Sequence, residues 1–262
     1  MKNEKTVVFL ASYGTSVLRA KEASYDLIQK ELGESINLPV WQVFTDDDTA
    51  RAVSGAGGEK VYTVEDALET AIIHGYTKVA VVPVFFAKGE LYNKLRRRLD
   101  FYRDRIDVVM TEAVLYDSAS CEETADILMD IIAPKAEKEY LLVGHGNSVY
   151  HNKGYSVLEE AIRAKGAENV KVIRLLERDS VGQAIAFLKK READMRDAQV
   201  EIVPLVVAWG DYMAEQLYNS NESFMWQLRK AGFRTVFTGK GLGEYPEFRA
   251  IYKKRFSALD KE

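Results

Sequence analysis

The segment VVPVFFAKGEL (81–91) returns 121 residues later as IVPLVVAWGDY (202–212), with Val, Pro, Ala and Gly at matched places and Glu90 opposite Asp211. A second match, at an offset of 132, lays VFLASYGTS (8–16) over YLLVGHGNS (140–148) and sets Tyr13 over His145. Two matches in the same order describe a chain made of two similar halves. They are expected to meet around Ala133 to Glu139, where APKAEKE is polar and marked by proline, giving units 1–135 and 136–262.

Each half carries short apolar runs separated by helical patterns. Candidate strands cover residues 6–11, 39–44, 78–84 and 106–110 in the first half, and 140–144, 169–175, 200–207 and 235–238 in the second. Several are apolar on consecutive residues, as strands are when helices cover both faces of a parallel sheet. In TVEDALETAIIHG, Thr63 is placed to cap a helix and Asp66 follows three residues later. Leu68, Ile72 and Ile73 share its apolar stripe, and Gly75 stops it. The expected fold is therefore α/β: two Rossmann-like halves, each a four-stranded parallel sheet flanked by helices. In such sheets ligands bind beyond the carboxyl ends of the strands. The loops SYGTS, AKGEL, GHGNS and AWGDY would all stand at that rim.

Composition narrows the function. Forty acidic against 36 basic residues leave a formal charge of −4, which implies no general attraction to nucleic acid or to an anionic membrane. The apolar stretch after Val7 is far shorter than the roughly 20 residues that span a bilayer, and a cytoplasmic location is expected. Cys121 is the only cysteine, so neither an internal disulfide nor a zinc site of paired thiolates can form.

Among three histidines, His145 in LLVGHGNS stands out, with Gly144 and Gly146 on either side. The glycines are expected to clear space for something large beside the imidazole, which binds borderline divalent metals or accepts a proton near neutral pH. The plainer alternative is a strand-end histidine bonded to a neighbouring loop. Glu177, at the end of the run KVIRLLE, would be solvated, paired with Arg178 or turned to a ligand. His74 precedes Gly75 at a helix end and has a structural reading, while His151 is expected to begin the next helix. The Arg96–Arg98 run suggests a solvated helix face. SGAGGEK (54–60) lacks the spacing of a nucleotide loop and suggests a flexible connection, so no nucleotide is expected.

Six segments in order, ASYGTS, VFTDD, AKGELYNKL, VGHGNS, VVAWGDYMAEQL and GLGEYPEFRAIY, resemble the anaerobic sirohydrochlorin cobaltochelatases, class II chelatases of the anaerobic cobalamin route, across nearly the whole chain. The resemblance implies a chelatase-like fold with a tetrapyrrole cleft between the halves, and ATP-independent insertion of a divalent metal. It implies His145 as catalytic metal-binding histidine and Glu177 as acidic ligand. The metal is a substrate, with cobalt favoured and iron or nickel as alternatives. Tyr212 stands where the family motif has a histidine, and a second histidine often found near Phe85 is absent. From their place at the expected rim, Ser12, Tyr13, Gly14, Thr15, Phe85, Glu90, Gly146 and Tyr212 are the candidate substrate-binding residues. Ser148, Lys88, Lys153 and Arg178 would offer further donors to the substrate's carboxylates. The partner implied is a small tetrapyrrole, with no nucleic acid or membrane and with homo-oligomerisation open. A haem-binding or other metallo-tetrapyrrole-binding protein, or an iron dechelatase, is the alternative.

Overall fold

A computed structural model describes residues 5–55, 60–146, 153–192 and 199–259. Strands β1 (Thr6–Ser12), β2 (Val40–Phe44), β3 (Val61–Thr63), β4 (Lys78–Pro83) and β5 (Asp107–Met110) form one sheet in the order β3-β2-β1-β4-β5. Strands β6 (Lys138–Gly144), β7 (Val170–Arg174), β8 (Gln199–Pro204) and β9 (Arg234–Phe237) form a second, ordered β7-β6-β8-β9. Every pairing in both sheets is parallel. The helices are α1 (Leu18–Ala23), α2 (Tyr25–Ile36), α3 (Asp47–Gly55), α4 (Val64–Ile73), α5 (Glu90–Asp100), α6 (Ser118–Ile132), α7 (Lys153–Ala164), α8 (Ser180–Glu192), α9 (Asp211–Ala214), α10 (Phe224–Lys230) and α11 (Pro246–Leu259). None among the described residues is long and apolar enough to cross a membrane.

The sequence repeat is visible in the register. Pro83 of β4 lies opposite Ala11 of β1, and its counterpart Pro204 of β8 lies opposite Val143 of β6. Both prolines end their strands, where a missing N–H costs the ladder nothing.

The first sheet has five strands instead of the expected four. The extra one, β3, is the tripeptide VYT, too short for any periodicity to register. It follows SGAGGEK, whose residues 56–59 lie outside the described part. Ser54 ties the two ends of that connection: its hydroxyl donates to the Val61 carbonyl at 2.6 Å and accepts the Val61 N–H at 3.1 Å. Thr63 then caps α4 as expected, accepting the Asp66 N–H at 3.2 Å.

Burial on both faces explains the continuous apolar runs. Along β1, Val7, Phe9 and Ala11 join an outer layer with Leu68 and Leu95, while Val8 and Leu10 face inward. Along β6, Leu141 and Val143 join the outer layer of the second half, while Tyr140 and Leu142 face inward. The two inward faces share one apolar cluster, built with residues of α2, α6, α7 and α11. Helix α11, last in the chain, returns to the first half. Its Arg249 is buried and holds Glu31 of α2 at 2.6 Å, and the Phe248 ring stacks on Phe86 at 6.2 Å.

The Arg96–Arg98 run is not uniformly solvated. Arg98 reaches from α5 to Asp47 at 2.8 Å and to both oxygens of Glu65, joining the first turns of α3 and α4. Arg96 and Arg97 remain exposed.

Candidate functional site

His145 is the first residue beyond β6. The ladder continues past the strand end: Leu175 N–H donates to the Gly144 carbonyl and Leu176 N–H to the His145 carbonyl, each at 2.9 Å. The imidazole is half-buried, and loss of solvation holds its pKa below the usual histidine value. At neutral pH it is therefore uncharged, with a nitrogen lone pair for a metal ion or a proton.

The flanking glycines serve a different purpose from the one expected. A Cβ on Gly144 would lie 2.7 Å from Cε1 of Tyr155, and one on Gly146, where φ is +70°, would lie 2.6 Å from Cβ of Arg174. The space they vacate is filled by side chains of the chain itself, on α7 and β7, and not left open for a ligand.

Glu177 sits three residues past β7, with its N–H donating to the Arg174 carbonyl at 3.1 Å. Its carboxylate accepts from the Arg174 guanidinium at 2.7 Å. The partner is thus Arg174, inside the same turn, and not Arg178, which is exposed. Because β6 and β7 are neighbours, His145 and Glu177 rise from adjacent strand tips. Among the described residues no three His, Cys, Asp or Glu side chains gather into a metal-holding group.

At the rim of the first half, Ser12 is buried and its hydroxyl is spent on Tyr25, whose own pKa burial pushes up to about 12. Tyr13 is 48% exposed, and its hydroxyl donates to Asp46. Gly14, at φ +110°, leaves no room for a side chain against the Phe44 ring. Thr15 is buried and its oxygen accepts the Val17 N–H at 3.2 Å. A Cβ on Gly210 would come within 3.1 Å of that oxygen, and the Ser16 hydroxyl donates to Asp211 at 3.4 Å. The β1 and β8 loops therefore meet across the halves, a contact the repeat did not specify, and Ser12 and Thr15 are buried in the fold instead of facing a substrate. Phe85 is likewise buried, in the outer layer of the first half; its neighbour Phe86 faces the shared core. Glu90 is exposed at the start of α5 and Lys153 at the start of α7. Lys88 pairs with Glu112 at 2.7 Å. Tyr212 lies on α9, with its side chain outside the described part, as are Ser148 and His151 entirely.

Residues 6–259 match the family model of the cobalt chelatase CbiK. The chain belongs to the cobalt chelatase family. A sirohydrochlorin cobaltochelatase of Salmonella typhimurium is 21% identical over 256 residues, covering 95% of this chain and 94% of the relative. SirB of Bacillus subtilis, solved with Fe3+, superposes with a TM-score of 0.66 at 16% identity, covering 97% of this chain and 94% of SirB. A multi-domain Deinococcus radiodurans protein, described as structurally similar to chelatases with two additional domains, superposes with a TM-score of 0.59 at 16% identity. The alignment covers 97% of this chain and 54% of that protein. Family membership supports a metal chelatase acting on a tetrapyrrole.

Two residues of this member of the cobalt chelatase family escaped the sequence reading. Tyr155 fills the space beside Gly144, and Arg174 supports Gly146 while holding Glu177. For Arg174 a signal existed: a cation closing an apolar strand, three residues before an acid, has a ready ion-pair partner. Tyr155 gave none, since an aromatic residue on a helix's apolar side has the same pattern whether it fills a core or supports a loop.

Proposed function

We propose that this chain inserts a divalent metal, with cobalt favoured and iron or nickel as alternatives, into sirohydrochlorin or a related porphyrinoid, as in the anaerobic cobalamin route. What supports the reading is the placement of His145 just past β6 and of Glu177 three residues past β7, the neighbouring strand, in a chain that the cobalt chelatase family model matches over residues 6–259. Insertion replaces two pyrrole N–H bonds with metal–nitrogen bonds and releases two protons. An uncharged imidazole binds the ion or accepts a proton, and a carboxylate supplies charge to loosen the ion's water shell. A one-nitrogen, one-carboxylate pair holds an ion loosely, which suits a metal that must leave for the macrocycle. Tyr13, Gly14, Glu90, Gly146 and Tyr212 are the residues of the proposed rim that would meet the tetrapyrrole.

The test is to mix the purified chain with sirohydrochlorin and Co2+ and follow the absorbance of the macrocycle. Insertion lost in His145→Ala supports the reading, and Tyr212→His is expected to raise cobalt insertion. Stoichiometric binding of a metallo-tetrapyrrole without insertion would sink it in favour of a carrier. Release of free porphyrin from haem would favour a dechelatase.

A further inference from the structure

We propose that a cavity on the open edge of the second sheet is a carboxylate site, whose occupant takes Arg174 from Glu177 and so frees Glu177 for the metal; the second step rests on the reading of Glu177 given above. Strand β7 ends the second sheet on one side. Its counterpart in the first sheet, β2, is covered by β3, and no strand among the described residues plays that part beside β7. The edge is bordered instead by a cavity of about 130 Å3. Its lining includes Glu159, Glu160 and Arg163 of α7, Lys171 and Arg174 of β7, and Gln183 of α8. A water takes about 30 Å3 of the liquid, so there is room for a carboxylate with water beside it.

Three cations of the lining, Arg163, Lys171 and Arg174, stand against two carboxylates, Glu159 and Glu160. Glu159 is buried and fully engaged: it holds Arg163 at 2.6 Å and Lys171 at 2.8 Å, and it accepts the Val172 N–H at 3.1 Å. Arg174 is less well served. Both oxygens of Glu177 rest on Nη2 alone, at 2.7 Å, while Nε and Nη1 have no acceptor among the described residues. Once Nη2 leaves Glu177 it forms a planar fork with either neighbouring nitrogen, which a carboxylate fits with two parallel bonds. A single excess positive charge in the lining matches a carboxylate and falls short of a phosphate dianion. The exchange leaves no charge unpaired, since Arg174 trades Glu177 for the incoming carboxylate and Glu177 trades a guanidinium for the metal ion. Carboxylate and metal binding therefore strengthen each other, by the same factor in both directions. A free organic acid anion and a carboxylate side chain of the macrocycle both offer this chemistry.

Acetate is the probe. In 15N-arginine-labelled protein the Arg174 Nε–H signal is assigned by its absence from Arg174→Gln. Sodium acetate should move that signal to saturation, where sodium chloride of equal ionic strength does not. Lys171→Met removes a cation from the lining, and Gln183→Glu adds a like charge from an exposed position; each should weaken acetate about fivefold. In calorimetry, saturating acetate should tighten Co2+ binding about fivefold, and the gain should vanish in Glu177→Gln. An Arg174 signal that stays in place, moves equally with chloride or ignores both substitutions would overturn the site. Acetate that binds without changing the Co2+ affinity would overturn the exchange. The parent reading is tested apart: if Glu177→Gln leaves the Co2+ affinity of acetate-free protein unchanged, the second step falls with that reading and the Arg174 signal alone decides the site. Sirohydrochlorin separates the two sources. If it moves the Arg174 signal and acetate competes with it, the occupant is a side chain of the macrocycle; if acetate alone moves the signal, the occupant is a separate small anion.

Discussion

Both oxygens of the Glu177 carboxylate lie 2.7 Å from Nη2 of Arg174. A guanidinium so placed competes with any metal ion for the same lone pairs and repels the ion besides. Arg174→Gln keeps the Cβ on which Gly146 rests and removes the charge. The expected outcome is a Co2+ KM lower by about three- to tenfold, the scale of a partly exposed ion pair. Steady-state kinetics with varied Co2+ checks it, and an unchanged KM would place Glu177 outside the path of the metal.

Gly146 combines a positive φ with contact against Arg174 Cβ. Gly146→Ala is expected to lower stability by about 2–3 kcal/mol, from the left-handed backbone and the forced shift of Arg174 together. Urea unfolding monitored by circular dichroism measures the loss. Gly166, also at positive φ but with nothing near a built Cβ, is the control, and its alanine variant should lose less.

The Arg98 network supplies a pH prediction. Hydrogen bonding to the Arg98 guanidinium holds the Glu65 carboxyl below the usual glutamate range. A carboxyl depressed in the folded state adds stability that is full above its unfolded pKa and is lost as pH falls through the folded one. The stability gap between wild type and Arg98→Gln should therefore be widest near neutral pH and close as the solution is acidified below the ordinary carboxylate range. Thermal unfolding at a series of pH values reads this directly, and a gap constant with pH would mean that Arg98 acts by packing alone.

Helix α11 gives a test of how the halves depend on each other. The Arg249 guanidinium is buried, bonded to Glu31 of α2 and to the Gly243 carbonyl at 3.0 Å. Arg249→Met leaves Glu31 without that partner and is expected to cost about 2–3 kcal/mol, below the full value for a buried pair because Glu31 is partly solvated. Because the apolar cluster is continuous between the two sheets, unfolding should stay a single transition, with tyrosine fluorescence and far-ultraviolet circular dichroism coincident.

The repeat and the unbroken apolar runs were enough to reveal two parallel sheets, and the capping pattern of TVEDALETAIIHG revealed the Thr63 cap, because each depends on local pattern or on symmetry between the halves. Strand β3 was missed since three residues carry no period. Ser12, Thr15 and Phe85 were expected to face a substrate, and the fold turned them to Tyr25, to a backbone N–H and to an outer apolar layer. Gly144 and Gly146 were recognisable as special, yet their purpose was hidden. What stands against a missing Cβ depends on the register between β6 and β7 and on where α7 crosses them. Hydrophobic period and turn chemistry are written along the chain and can be read there. Which side chain fills a gap, and which cation takes a carboxylate, is settled only when elements distant in sequence come within a few ångströms.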